Sequence, residues 1–124
     1  MWGQYSKRAD ARHGWATTAF TQATFLRIVS QPAFAAGAIG PLDAAALLTR
    51  SLTHPQHSFF AQDMEIAAVP IHCTGALMGH RQVTDAYLLA LAVQRKCRLV
   101  TFDVGVQQLL ATERERNAHV EVLG

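Results

Sequence analysis

The chain has 124 residues and a mass of 13.6 kDa; half of it is hydrophobic and 16% is charged. That length holds one domain, 1–124, and that composition excludes a disordered tail and predicts a buried core. The net charge of +2 neither announces nor excludes a nucleic-acid partner, because local patches outweigh the sum.

The longest stretches without Asp, Glu, Lys or Arg are residues 28–42 and 66–80. Each falls short of the ~20 apolar residues of a membrane span and contains Pro and Gly, so no membrane helix is expected. The first eight residues lack the apolar core of a signal peptide, which makes the cytoplasm the expected compartment. Cys73 and Cys97 match no metal-ligand spacing and read as buried free thiols.

Residues 1–13 are polar and basic, with Lys7, Arg8 and Arg12, and read as a frayed helix end or a linker. After Gly14, residues 15–20 form a β-like run rich in Thr and aromatics. Thr21 suits the cap of a helix over 22–30, ended by Gln31-Pro32. Residues 32–40 read as a loop. Pro41 and Asp43 favour a helix start, so 43–52 is predicted helical and is closed by Thr53-His54-Pro55. A strand is predicted over 57–61. Pro70 breaks residues 63–79 into a short helical turn and an extended stretch. The strongest helix signal covers 84–96: Tyr87, Leu88, Leu91 and Ala92 recur at helical spacing, Thr84 suits the cap, and Arg95 and Lys96 suit the end. A continuous apolar strand over 98–102 follows, then a helix over 104–115 and a last strand over 119–123. Strands alternating with helices imply an α/β fold with a mainly parallel sheet.

In such a sheet, ligands bind beyond the carboxyl ends of the strands and at the following helix N-termini. Asp103 stands at a strand end and Asp85 in the first turn of the preceding helix, so both carboxylates fall at one edge. Two carboxylates brought together repel, and a hard divalent cation relieves this by binding their oxygens. Such an ion orients a phosphodiester and lowers the pKa of a bound water. Asp85 beside Thr84 also fits a helix cap, and Asp103 also fits the turn before Val104; spacing alone leaves both open. Arg81, four residues before Asp85, fits either a phosphate contact or an ordinary surface arginine. His54 and His57 lack a third ligand at a diagnostic spacing. No Gly-rich phosphate loop is present, which weighs against a phosphoryl-transfer domain using Asp103 alone.

The run Gly79-His80-Arg81-Gln82-Val83-Thr84-Asp85-Ala86-Tyr87-Leu88, followed by Arg98-Leu99-Val100-Thr101-Phe102-Asp103, resembles the PIN-domain ribonucleases, and among them the VapC-type toxins of bacterial toxin–antitoxin pairs. The run Trp15-Ala16-Thr17-Thr18-Ala19-Phe20-Thr21-Gln22-Ala23-Thr24-Phe25-Leu26 is similar to that family's second strand and helix. The resemblance extends from about Gly14 to the C-terminus. It implies a three-layer PIN-like fold and a metal-dependent endoribonuclease that cleaves RNA by metal-activated water. It also implies a small antitoxin partner and a homodimer. Asp85 matches the third acidic position and Asp103 the fourth, as catalytic residues and ligands of magnesium or manganese. Gln22 stands where the family often has Glu and would orient water or substrate. Thr101 matches a small hydroxyl residue that lines the site, and Arg81 would touch a phosphate.

The family opens with a hydrophobic strand that ends in Asp and lies at the centre of the sheet. Nothing in residues 1–13 has that form, and Asp10 follows Ser6-Lys7-Arg8-Ala9, which is no buried strand. The expectation is therefore a PIN domain lacking its central first strand and part of its first helix. Its activity should be weak, and its sheet should hold an unpaired gap that leaves the chain insoluble, molten or oligomeric. The alternative is a non-catalytic remnant that binds an antitoxin-like partner or RNA without cutting it.

Overall fold

Among the described residues, four of the five strands run in one direction, and the central one runs against them. The computed structural model describes residues 2–6, 13–30, 40–75, 79 and 82–123. In chain order these form β1 (Trp2–Ser6), β2 (His13–Thr17), α1 (Ala19–Val29), α2 (Pro41–Leu52) and β3 (His57–Phe59). A 3-10 turn (Ile66–Ala68) leads into α3 (Val69–His72), followed by α4 (Val83–Gln94) and β4 (Cys97–Thr101). A 3-10 segment (Val104–Leu109), α5 (Glu113–His119) and β5 (Val120–Val122) complete the chain.

The sheet order is β3-β2-β1-β4-β5. β2 pairs with β3 and β4 with β5 in parallel, whereas β1 is antiparallel to both neighbours. Gly3 lies opposite Ala16 on one side and Leu99 on the other, so the centre of the sheet is hydrogen-bonded on both sides. This corrects two expectations. Residues 2–6 are a strand rather than a frayed helix end or linker, and no unpaired gap separates β2 from β4. Backbone donors and acceptors inside a sheet must be paired, and a reversed strand satisfies that demand as a parallel one does.

α4 is apolar on nearly every side, and residues 86 to 92 are all buried. A helix hydrophobic all round belongs in a core. It packs with Val69 of α3, Cys97 and Leu99 of β4, Val106, Leu109 and Val120. Each leucine buried in this way contributes roughly 1.5–3 kcal/mol relative to exposure. Val100, which alternates with Leu99, turns to the opposite face. There it lines a cavity of about 700 Å³ with Trp15, Leu123 and the C-terminal residues Arg50 and Ser51 of α2. Helices thus lie on both faces of the sheet, as a three-layer arrangement requires.

Local chemistry explains the shifted boundaries. Thr18, not Thr21, caps α1: its side chain accepts from Thr21 N at 3.2 Å, and Thr18 N donates back to Thr21 Oγ1 at 2.8 Å. Pro70 does not break its segment, because it falls in the first turn of α3, where its missing N–H has no partner to lose. The expected helix over 104–115 divides in two. Thr112 caps α5 by accepting from Glu115 N at 3.2 Å, which ends the 3-10 segment and starts a new axis. Gly75 donates to Leu109 O at 2.9 Å in a contact so close that a Cβ there would lie 2.2 Å from Gln108 O. Cys73 and Cys97 are free thiols, each pushed up to about 11, chiefly by burial. The segment expected as a loop over 32–40 lies outside the described residues apart from Gly40.

Candidate active site

α4 packs on β4, and the N-terminus of the helix meets the C-terminus of the strand at one edge of the sheet. Asp85 sits in the first turn of α4 and is half-buried. Asp103 follows β4, is exposed, and opens the 3-10 segment, its Oδ1 accepting from Gly105 N at 2.9 Å. Its backbone N donates to the hydroxyl of Thr101, which is 1% exposed, at 3.0 Å. Thr101 therefore reaches this site from below, through the backbone of Asp103.

The Asp85 carboxyl is held above its ordinary range, first by burial and then by the negative charge of Asp103. The second cause means that the two carboxylates share one local field, as opposite edges of a sheet would not allow. A Cβ on Gly105 would meet Asp103 Oδ1 at 3.1 Å and Gln82 Nε2 at 3.7 Å, so the Gln82 amide also converges here. Gln82 precedes α4 and carried no sequence signal, since a lone glutamine beside Arg81 has neither charge nor spacing to mark it. Phe102 and Val104, on either side of Asp103, are 79% and 65% exposed and give the edge an apolar lip.

Gln22 lies in the first turn of α1, just past the carboxyl end of β2, and its Nε2 donates to Thr17 Oγ1 at 2.9 Å. Thr17 Oγ1 is in turn 2.9 Å from Nε2 of His57. Gln22 and the acid pair thus occupy the same edge, on strands separated by β1. That strand, Trp-Gly-Gln-Tyr-Ser, brings no carboxylate to the centre of the sheet. Arg81 and Asp10 lie outside the described residues.

Asp85 and Asp103 are hard oxygen donors, and magnesium characteristically binds one or two carboxylates while keeping several waters. The pair fits such an ion. Among the described residues, no group of three or more His, Cys, Asp or Glu could hold a metal. His54 and His57 form no such site; His57 is engaged with Thr17. No helix among the described residues is long and apolar enough to cross a membrane.

No protein-family model matches the chain. It is similar to curated proteins of Mycobacterium tuberculosis. Ribonuclease VapC38 is 43% identical over 100 residues, which is 79% of this chain and 67% of that protein. Ribonuclease VapC44 is 40% identical over 93 residues, 75% of this chain and 65% of its own length. Ribonuclease VapC39 is 35% identical over 94 residues, 76% and 68% respectively. The chain spans about two thirds of the length of these relatives.

Proposed function

The chain belongs to the VapC-type PIN-domain toxins, and on that premise we propose that it is a metal-dependent endoribonuclease with Asp85 and Asp103 as its catalytic carboxylates. The observation that carries this reading is geometric: Asp103 Oδ1 and the amide of Gln82, the residue before α4, converge on Gly105, and Asp85 stands in the first turn of that same helix. The pair would hold magnesium or manganese, which when bound would orient an RNA phosphodiester and make a water more acidic. The chain's own residues do the rest. Thr101 fixes the turn that presents Asp103. Gln82 brings an amide donor within reach of a phosphate oxygen, and Arg81 adds positive charge four residues before Asp85. The exposed Phe102 beside Asp103 offers a face on which an unpaired base stacks. Gln22 acts from the neighbouring strand end.

Two carboxylates attract a cation less than three or four do, so turnover is expected to be slow. The test is cleavage of structured RNA by the purified chain with and without magnesium, beside Asp85→Asn and Asp103→Asn. Metal-dependent cleavage lost in both variants supports the assignment; cleavage that persists in both overturns it.

A second reading is favoured by the lack of a carboxylate in the central strand. Here the chain is a non-catalytic relative that binds RNA or a small antitoxin at the same edge. RNA binding without cleavage at any magnesium concentration would select it. Pairing with an antitoxin and with a second copy is proposed from family membership.

A further inference from the structure

We propose that His57 and Thr17 are positioning residues that lock the Gln22 amide with its NH2 turned inward, so that Oε1 is the group left to act at the carboxyl edge. The proposal deepens the nuclease reading, on which the role of that oxygen rests. It begins with a hydroxyl that serves two neighbours. Thr17 is 1% exposed, and its Oγ1 lies 2.9 Å from His57 Nε2 and 2.9 Å from Gln22 Nε2. A hydroxyl has one proton and two lone pairs, so it donates once and can accept twice.

The direction follows from the donor at the other end: Gln22 Nε2 donates to Thr17 Oγ1, which leaves the hydroxyl proton for His57. His57 then accepts through Nε2, and the neutral ring carries its proton on Nδ1. Burial favours this neutral ring, holding the His57 pKa below its usual value; a backbone hydrogen bond to Leu52 acts against it and the nearby His54 in the same sense. The groups around the ring are the Trp15 indole on β2, with centroids 4.7 Å apart, and His54 beyond the end of α2. Arg50 joins Trp15 and His54 in the adjoining cavity. No carboxylate is among them to draw a second proton onto the imidazole.

A bare Nε2 accepts the Thr17 O–H proton. The Thr17 oxygen then accepts from an amide N–H, which the carbonyl end of Gln22 does not offer. The run is one-way: Gln22 Nε2–H to Thr17, then Thr17 O–H to His57 Nε2. Glutamine otherwise presents a donor or an acceptor with little preference. Anchored in this way it presents an acceptor, which suits a hydrated cation and disfavours a bare phosphate oxygen.

The test is nitrogen NMR of the full 124-residue chain near pH 7.5. The His57 ring is expected in the Nδ1-protonated tautomer, and Thr17→Ser is expected to keep it. Thr17→Val should lose it, giving a mixture with the commoner Nε2-protonated form. An Nε2-protonated His57 in the wild-type chain overturns the proposal, as does a tautomer unmoved by Thr17→Val. Manganese ion alone is then added. Broadening of the Gln22 side-chain amide together with signals around Asp85 is expected. Broadening around Asp85 that spares Gln22 overturns the cation-facing role. Absence of broadening anywhere counts against the two-acid site, while the tautomer still decides the hydrogen-bond chain.

Discussion

The hydroxyl of Thr101 accepts a hydrogen bond from the backbone N–H of Asp103 at 3.0 Å, so a fully buried side chain sets the direction in which an exposed acid leaves its strand. Removing that acceptor strands a backbone donor, and a typical net hydrogen bond is worth about 1 kcal/mol. Thr101→Val is therefore expected to lower stability by about that amount, and Thr101→Ser by less. Denaturant unfolding gives the first number. Isothermal titration with magnesium should show weaker binding in Thr101→Val and near-normal binding in Thr101→Ser. Equal magnesium affinity in all three proteins would refute the supporting role.

The raised pKa of Asp85 has a signed consequence for stability. An acid whose folded-state pKa lies above its unfolded value favours the fold when protonated. That stabilisation is complete below the ordinary value of 3.8 and is lost as pH rises through the raised one. At neutral pH the ionised Asp85 is therefore a net cost. Without divalent ions, Asp85→Asn should melt at a higher temperature than the wild type at pH 7, and the gap should close by about pH 3. Magnesium should raise the wild-type melting temperature and leave the variant unmoved. A variant that melts lower at pH 7 would contradict this account.

Gly75 is a packing requirement. A methyl group there would lie 2.2 Å from Gln108 O and 2.7 Å from the Leu109 carbonyl carbon, both of them backbone atoms that no rotamer change can move. Gly75→Ala should cost about 1–3 kcal/mol, the range for forced overpacking. Equilibrium unfolding checks it. A loss below about 0.5 kcal/mol would show that the 3-10 segment yields easily.

Phe102 should matter for RNA and little for folding. At 79% exposure its removal should change stability by no more than about 0.5 kcal/mol. A base stacked on an aromatic side chain is worth about 1–3 kcal/mol, so Phe102→Ala should weaken binding of a short single-stranded RNA at least fivefold. Fluorescence anisotropy with a labelled oligonucleotide measures it, and unchanged affinity would remove Phe102 from the substrate surface.

The helix–strand unit of α4 and β4 was legible because its signals are local. The apolar run of α4, the short strand before Asp103 and the acid at its end follow from composition over a few consecutive residues. So did the placement of Asp85 and Asp103 at one edge, which needs only a helix antiparallel to its strand. The central strand was not legible. Trp2 to Ser6 contains two glycine-sized or polar positions between aromatics, and it becomes a strand only because β2 and β4 offer it hydrogen bonds from both sides. The capping pair Thr18 and Thr21 shows the same limit on a smaller scale, since either threonine fits the pattern and only the reciprocal bonds decide between them. Gln82 escaped because an uncharged side chain without a spaced partner carries no signal, and the Thr17–His57 contact because residues 40 positions apart share no periodicity.

The reversed central strand also sets an order in time. β1 and β2 pair across separations of 7 to 13 residues, from Ser6 with His13 to Gly3 with Ala16, and a hairpin of that size closes in about 1–10 μs. The same strand meets β4 across more than ninety residues, from Tyr5 with Cys97 to Trp2 with Val100. A parallel central strand would have made both of its pairings distant, since parallel neighbours need a long crossover. Reversal turns one of them into an early local event, so the hairpin can form first and stand as the template on which β4 docks. The slow step of folding then reduces to one long loop closure in place of two.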